Sequence, residues 1–295
     1  HGLHQQGFAD GDADFGSHPW AYLKREGREF ADLADGQFSP DALTDRAIGF
    51  LRSTGNAPFF LYWSHYFVHD PIHTRCQWLQ VKYRAKLPPG ADEIRAAYAS
   101  MVETMDHQIG RLLQALDDLG LASRTFVVFT SDNGGHPNYT ANGPLRGSKW
   151  NLYEGGIRVP MIARWPGVIQ AGCTRDGPIT GCDLFPTFRD VARASADDIP
   201  RDGQSLLPLL RVDPVPAKPR PLVWHFPYYH PERKFSEHPA QIGINDFATS
   251  QTRPHSAIRL GDHKLIHFYE DDRDELYDLA EDPSEQRDLA ATEPT

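Results

Sequence analysis

The longest periodic stretch of the chain, from about Ala91 to Leu119, restricts its fold more than any other feature. Ile94, Tyr98, Met101, Met105, Ile109, Leu112 and Leu116 recur at spacings of three and four, so they line one side of a helix that Gly120 stops. We read this stripe as core packing, because that spacing is how a helix covers a sheet. A β-branched and aromatic run, Thr125 to Thr130, follows directly, is closed by Asp132, Asn133, Gly134 and Gly135, and reads as a buried strand. The same order occurs earlier. Asp41 to Arg52, with Pro40 near its start and Leu43, Ala47, Phe50 and Leu51 on one face, predicts a helix, and Phe59 to Trp63 a second buried strand. Helix then strand, twice over, predicts an α/β sheet with crossover helices.

Beyond this centre, Ile157 to Trp165 reads as a strand interrupted by Pro160, and Asp183 to Ala194 as a helix. Residues 195 to 220, with an acidic stretch and Pro208, Pro214, Pro216 and Pro219, read as a boundary. The pieces Leu222 to Phe226, Ser256 to Leu260, Lys264 to Phe268 and Glu275 to Leu279 then predict a small antiparallel meander, with Glu281 to Gln286 opening a last helical turn. Residues 1 to 40 have no sustained period and read as a long irregular segment. The division expected is therefore a catalytic α/β domain over 1–200 and a small C-terminal α+β subdomain over 201–295.

A net charge of −10 argues against a nucleic-acid partner, since phosphate contacts need a basic surface. No run approaches the roughly 18 to 20 apolar residues of a membrane span. Cys76, Cys173 and Cys182 form no C-x-x-C pair and read as inert thiols, which leaves the redox compartment undecided. The chain opens on His1 with neither Met nor a signal-peptide pattern, and reads as an internal start.

The polar residues that close the strand at Thr130 carry the chemistry. Asp132 and Asn133 offer a carboxylate and an amide oxygen, the hard donors of Ca²⁺ or Mg²⁺, and ligands of open α/β sheets bind beyond the carboxyl ends of strands. Taken alone, an Asp-Asn pair is more often an Asx turn, Lys149 a surface cation, and His69 a satisfied or exposed histidine. Their placement on loops of one sheet edge would let a metal, a cation and an imidazole converge.

Several ordered segments resemble the type I sulfatases of the alkaline phosphatase superfamily. They are Ser131-Asp132-Asn133-Gly134-Gly135, Leu145-Arg146-Gly147-Ser148-Lys149 and Glu154-Gly155-Gly156-Ile157-Arg158-Val159-Pro160. Phe59 to Tyr62 leading to Val68-His69-Asp70-Pro71, the helix from Tyr98, Asp183 to Thr187, and Leu276-Tyr277-Asp278-Leu279 with Asp282-Pro283 and Glu285 extend the resemblance over nearly the whole chain from about residue 40. It implies an alkaline-phosphatase-like mixed sheet flanked by helices, with a smaller C-terminal antiparallel sheet. It also implies that Asp132 and Asn133 are calcium ligands, that Lys149 contacts a sulfate oxygen, and that His69 contacts the ester or protonates its leaving oxygen. His73 and His136 are candidate substrate contacts, and the reading of exposed loop histidines stands equally beside that one.

The nucleophile of such enzymes is a formylglycine made from Cys or Ser in a C/S-x-P/A-x-R motif, and no Cys or Ser here has Arg four residues later. The family's paired N-terminal aspartates and its Gly-Lys-Trp-His-Leu-Gly motif are also missing. The expectation is a chain lacking the N-terminal part, inactive alone and binding calcium poorly, because its cage needs further carboxylates. A truncation, a complex with a second polypeptide and a non-catalytic remnant are the competing explanations. The activity expected is hydrolysis of a sulfate monoester, on a carbohydrate as the best substrate guess, with a phosphoric or phosphonic ester hydrolase of the same superfamily as the alternative. Trp224 to His230 is read either as an aromatic wall at the site mouth or as packing of the small sheet. The resemblance suggests a periplasmic or secreted protein, and the oligomeric state is open.

Overall fold

In the computed structural model the described residues are 8–9, 33–39, 41–195, 199–211, 219–227 and 254–293. They fall in two units, His1–Leu121 and Ala122–Thr295. The expected boundary at residue 200 falls within the second of these, and the irregular segment expected over residues 1 to 40 lies almost wholly outside the described residues.

The first unit is helical. Asp41 caps α1, Ala42–Thr54, by accepting from the Leu43 and Thr44 amides, both at 3.2 Å, and so satisfies two of the orphan donors of the first turn. α2 is Gln77–Arg84 and α3 is Ile94–Asp118. Ala47, Ile48 and Leu51 of α1 and Leu79 of α2 are buried, whereas of the apolar stripe of α3 only Met101 and Leu116 are buried and Ile94, Tyr98, Met105, Ile109 and Leu112 are half-buried, because the inward face is shared with Ala96, Ala97, Ser100, Thr104 and Gln108. α3 ends where expected. Gly120 adopts φ 66°, and the Leu121 amide reaches back to the Leu116 carbonyl at 2.8 Å, a hydrogen-bond pattern that needs a left-handed residue between them. The run Phe59 to Trp63 is a correction: it belongs to no strand among the described residues, and Phe60 and Tyr62 are 56% and 70% exposed. The continuous apolar run there has no ladder partner among the described residues, and a strand exists only through its ladder.

The second unit contains β1, Val127–Thr130, the short helix α4, Glu154–Ile157, and β2, Met161–Arg164, which pairs antiparallel with β1. β1 is half-buried rather than buried, and Thr130 is exposed. Pro160 ends α4's exit segment so that β2 starts only at Met161. α5, Leu184–Val191, and α6, Leu207–Leu210, follow. The meander is borne out: β3 Leu222–Phe226, β4 His255–Leu260, β5 His263–Phe268 and β6 Arg273–Asp278 form an antiparallel sheet in sequence order. Its inner face, Trp224, Phe226, Ala257, Ile266, Phe268 and Tyr277, packs on Leu152, Tyr153 and Ile157. Trp224 and Phe226 are therefore packing residues of this sheet, and Tyr228 to His230 lie outside the described residues. The last helical turn expected at 281 to 286 is instead a set of turns, in which Asp282 accepts from the Gln286 and Arg287 amides at 2.7 and 2.8 Å.

Candidate active site

The end of β1 delivers Ser131, Asp132 and Asn133 into a tight turn. Asp132 Oδ1 accepts from the Asn133 amide at 3.0 Å, and Asn133 Nδ2 donates to the Gly134 carbonyl at 2.9 Å. Both bonds reach only the next residue, so this is not the Asx turn that such a pair most often makes, and they leave Asp132 Oδ2 and Asn133 Oδ1 outside the turn's own hydrogen bonds.

Two glycines then let three loops meet backbone to backbone. The Gly134 amide donates to the Gly156 carbonyl at 2.8 Å, the Lys149 amide to the Gly135 carbonyl at 3.0 Å, and the Gly155 amide to the Arg146 carbonyl at 2.7 Å. A Cβ at Gly134 would lie inside the Gly155 carbonyl, so no other residue permits this approach. Asp132, Asn133 and Lys149 consequently ride on one backbone frame.

Lys149 is half-buried, with its ammonium 5.3 Å from the centroid of the Trp150 ring. His136 meets that indole edge-on at 4.8 Å and stacks on Tyr139 at 4.5 Å. Its Nδ1 accepts from the Asn138 amide at 3.1 Å, so in the neutral ring Nε2 holds the proton. His136 thus joins Lys149 through Trp150, in one cluster with the metal-candidate turn.

Beneath this cluster lies a polar network that sequence reasoning missed. Arg146 donates to the Tyr277 hydroxyl at 2.8 Å and the Glu285 carbonyl at 3.0 Å, and its guanidinium sits 4.1 Å from the Tyr153 ring centroid. Tyr153 and Tyr277 both donate to Glu275 Oε2, at 2.5 and 2.7 Å. Burial, reinforced by the Glu275 charge, raises both phenols well above their ordinary range, which keeps them donors. Lys264, fully buried, lies 3.0 Å from Glu154 Oε1 and 2.8 Å from Glu285 Oε1, while the Glu154 amide donates to Glu285 Oε2 at 2.6 Å. Burial pushes the Glu285 carboxyl up, against the opposing pull of Lys264. Arg146, Glu154, Tyr277 and Glu285 stand in the signature segments of the sequence, but nothing there signalled that they pair with one another.

His69 and His73 belong to the first unit and both are exposed. His69 Nδ1 lies 3.0 Å from the Asp70 carbonyl, which only accepts, so Nδ1 carries the hydrogen and Nε2 is the nitrogen that can exchange a proton. The loop before it is tied to α1: His65 Nε2 pairs with the capping Asp41 at 3.0 Å, and His65 Nδ1 accepts from the Phe67 amide at 3.1 Å. Neither Asp41 nor His65 had been singled out as a pair, because they are 24 residues apart.

Asp132 and Asn133 supply two hard oxygens, which suits part of the six to eight that calcium takes. No group of three or more His, Cys, Asp or Glu able to hold a metal occurs among the described residues. The donor chemistry fits calcium as a partial shell. Among the described residues, no helix is long and apolar enough to cross a membrane.

A family profile described as Sulfatase matches residues 5–194, and one described as N-sulphoglucosamine sulphohydrolase, C-terminal, matches residues 148–294. A protein of Formosa agariphila called a sulfatase is 35% identical over 271 residues, covering 86% of this chain and 46% of its own length. Human steryl-sulfatase is 32% identical over 274 residues, covering 85% and 44%. Among solved structures, Ps i-CgsB in complex with k-i-k-neocarrahexaose aligns with a TM-score of 0.68 at 28% identity, over 88% of this chain and 52% of that one. A protein in complex with its substrate D-glucosamine-2-N,6-O-disulfate aligns with a TM-score of 0.51 at 29% identity, over 72% and 40%. The chain spans about half, or less, of the length of these relatives.

Proposed function

This chain belongs to the sulfatase family and has its alkaline-phosphatase-like α/β fold, and from that premise we propose that it carries part of an active site that hydrolyses a sulfate monoester to an alcohol and inorganic sulfate. The observation that carries the reading is the backbone frame on which Asp132, Asn133 and Lys149 are fixed together. Cleavage of a sulfate ester gathers negative charge on the sulfate oxygens and on the departing oxygen, so a preorganised site needs positive charge aimed at both.

Lys149 supplies that charge as an ammonium contacting a sulfate oxygen, its loop held before substrate arrives. Asp132 and Asn133 would hold calcium together with oxygens from elsewhere, and such an ion would supply further positive charge for the developing anion. His69, whose Nδ1–H donates to the Asp70 carbonyl, would serve as the acid for the leaving oxygen through Nε2 when the ring is the imidazolium, passing the Nε2 proton to that oxygen and returning to the neutral Nδ1–H form. His73 and His136 contact the remainder of the substrate. The chain has no Cys or Ser followed four residues later by Arg, so a formylglycine nucleophile would be supplied from outside these 295 residues, and these residues alone turn over no sulfate ester.

A sulfated carbohydrate is the substrate class we favour. The rings of His136, Tyr139 and Trp150 offer a surface for a sugar beside Lys149, and two of the solved relatives are complexes with carbohydrates. Calorimetric calcium titration of the complete natural polypeptide tests the metal assignment. Asp132→Ala and Asn133→Ala should each weaken binding by about tenfold or more, equal to ~1.4 kcal/mol. Unchanged calcium affinity in both variants would remove them from the site.

A further inference from the structure

Besides their direct backbone bonds, the metal-candidate turn and the lysine loop are joined by one side chain, Asn142, to which the sequence drew no attention. Its Oδ1 accepts from the Gly135 amide at 3.0 Å, while its Nδ2 donates to the Gly135 carbonyl at 3.2 Å and to the Gly147 carbonyl at 3.1 Å. The amide orientation is fixed by these partners, since a flipped group would set its oxygen against two carbonyls and its NH₂ against an N–H. Gly135 is two residues past Asn133, and its carbonyl also accepts from the Lys149 amide at 3.0 Å. Gly147 is two residues before Lys149. Both donors and the acceptor of one carboxamide are thus spent on joining the two loops.

We propose that Asn142 is a positioning residue that sets Lys149 relative to the Asp132-Asn133 turn, and so couples the cation to the metal pair. The proposal rests on the reading of Lys149 as the sulfate contact. No other side chain of this length does the same work. A carboxylate at this position has no donor and would face two carbonyl oxygens, taking from the Gly147 carbonyl its Asn142 donor and leaving the Gly135 carbonyl with the Lys149 amide, and an alanine removes all three hydrogen bonds. Glutamine is one methylene longer, and Gly135 is already tight: a Cβ there would meet Thr140 and Asn142 itself.

The test uses the complete natural polypeptide with fluorinated tryptophan, Trp150 being assigned by Trp150→Phe, and follows sulfate-ester turnover alongside. In Asn142→Asp at neutral pH the Trp150 resonance should shift, and kcat/KM should fall about a hundredfold, the loss expected for a displacement of about 1 Å in a positioned group. Protonation of the introduced carboxyl restores one donor, so lowering the pH should return the Trp150 resonance of Asn142→Asp toward the wild-type position, but not that of Asn142→Ala. In a Lys149→Ala background the same Asn142 substitution should cost less than about twofold, because groups that act as a unit are not additive. An unshifted Trp150 resonance in both Asn142 variants, or the full loss of activity repeated in the Lys149→Ala background, overturns the proposal. If the wild-type polypeptide cleaves no sulfate ester, the sulfatase reading falls, and the Trp150 resonance and its pH recovery still decide whether Asn142 sets the loop.

Discussion

At the residue scale, the site is supported by side chains whose partners are far away in sequence. Lys264 is the sharpest case: fully buried, it is held by Glu154 and Glu285, which are themselves buried. Removing one member of a buried ionic cluster leaves charge unpaired in a low-dielectric interior. Lys264→Ala should therefore lower the unfolding free energy by about 3–5 kcal/mol, whereas Lys82→Ala, whose pair with Glu103 is exposed, should cost less than about 1 kcal/mol. Equal denaturant midpoints for the two variants would contradict the burial argument. Gly134→Ala should cost about 3 kcal/mol, because the added methyl drives apart the backbones that bring Lys149 to the turn. A wild-type melting curve for that variant would mean the frame is softer than its geometry implies. Lys149, Arg146 and Glu285 were legible only as members of ordered motifs, since Lys149 alone reads as a surface cation. Asn142 was not legible, and neither were the partners of Arg146 and Glu285, because a sequence shows no partner 131 residues away such as the one Arg146 has in Tyr277.

At the scale of elements, the helices of strong period were legible and the short ones were not. α3 and its glycine stop follow from spacing alone. α2 has eight residues, no side-chain cap at Cys76, and Leu79, Val81 and Tyr83 in an alternation that reads equally as extended chain. It is held instead by tertiary contacts: Leu79 is fully buried, and Lys82 and Tyr83 reach Glu103 of α3 at 2.8 Å or less. For Glu103, partial desolvation favours the neutral form, but the hydrogen bonds from Lys82 and Tyr83 and the charges of Lys82 and Lys86 outweigh it and hold the carboxyl below its usual range. A carboxylate depressed in the folded state stabilises above its unfolded value, near ~4.3, and that stabilisation disappears as pH falls through the folded value. The stability gap between wild type and Glu103→Gln should thus be open at neutral pH and close in acid. A gap that widens on acidification would reverse the sign. Phe59 to Trp63 failed in the opposite direction: its composition suits a strand, but its surroundings among the described residues supply no ladder.

At the scale of the whole molecule, a net charge of −10 would repel a sulfated ligand, so binding depends on positive charge concentrated locally. The family and the C-terminal sheet were readable from motif order, because several motifs in sequence constrain far more than one. The substrate was not, since residues that select a sugar are placed by loops rather than by pattern. We propose above that Lys149, fixed to the Asp132-Asn133 turn, stabilises a sulfate ester during cleavage. The most direct measurement is sulfate release by the complete natural polypeptide from a panel of carbohydrate and aryl sulfates with calcium present, comparing wild type with Lys149→Ala. Release should fall by a factor on the order of 10² to 10³ in Lys149→Ala, the scale for losing one preorganised charge-stabilising group. Equal release by both proteins, or release of phosphate but not sulfate from matched esters, would contradict it.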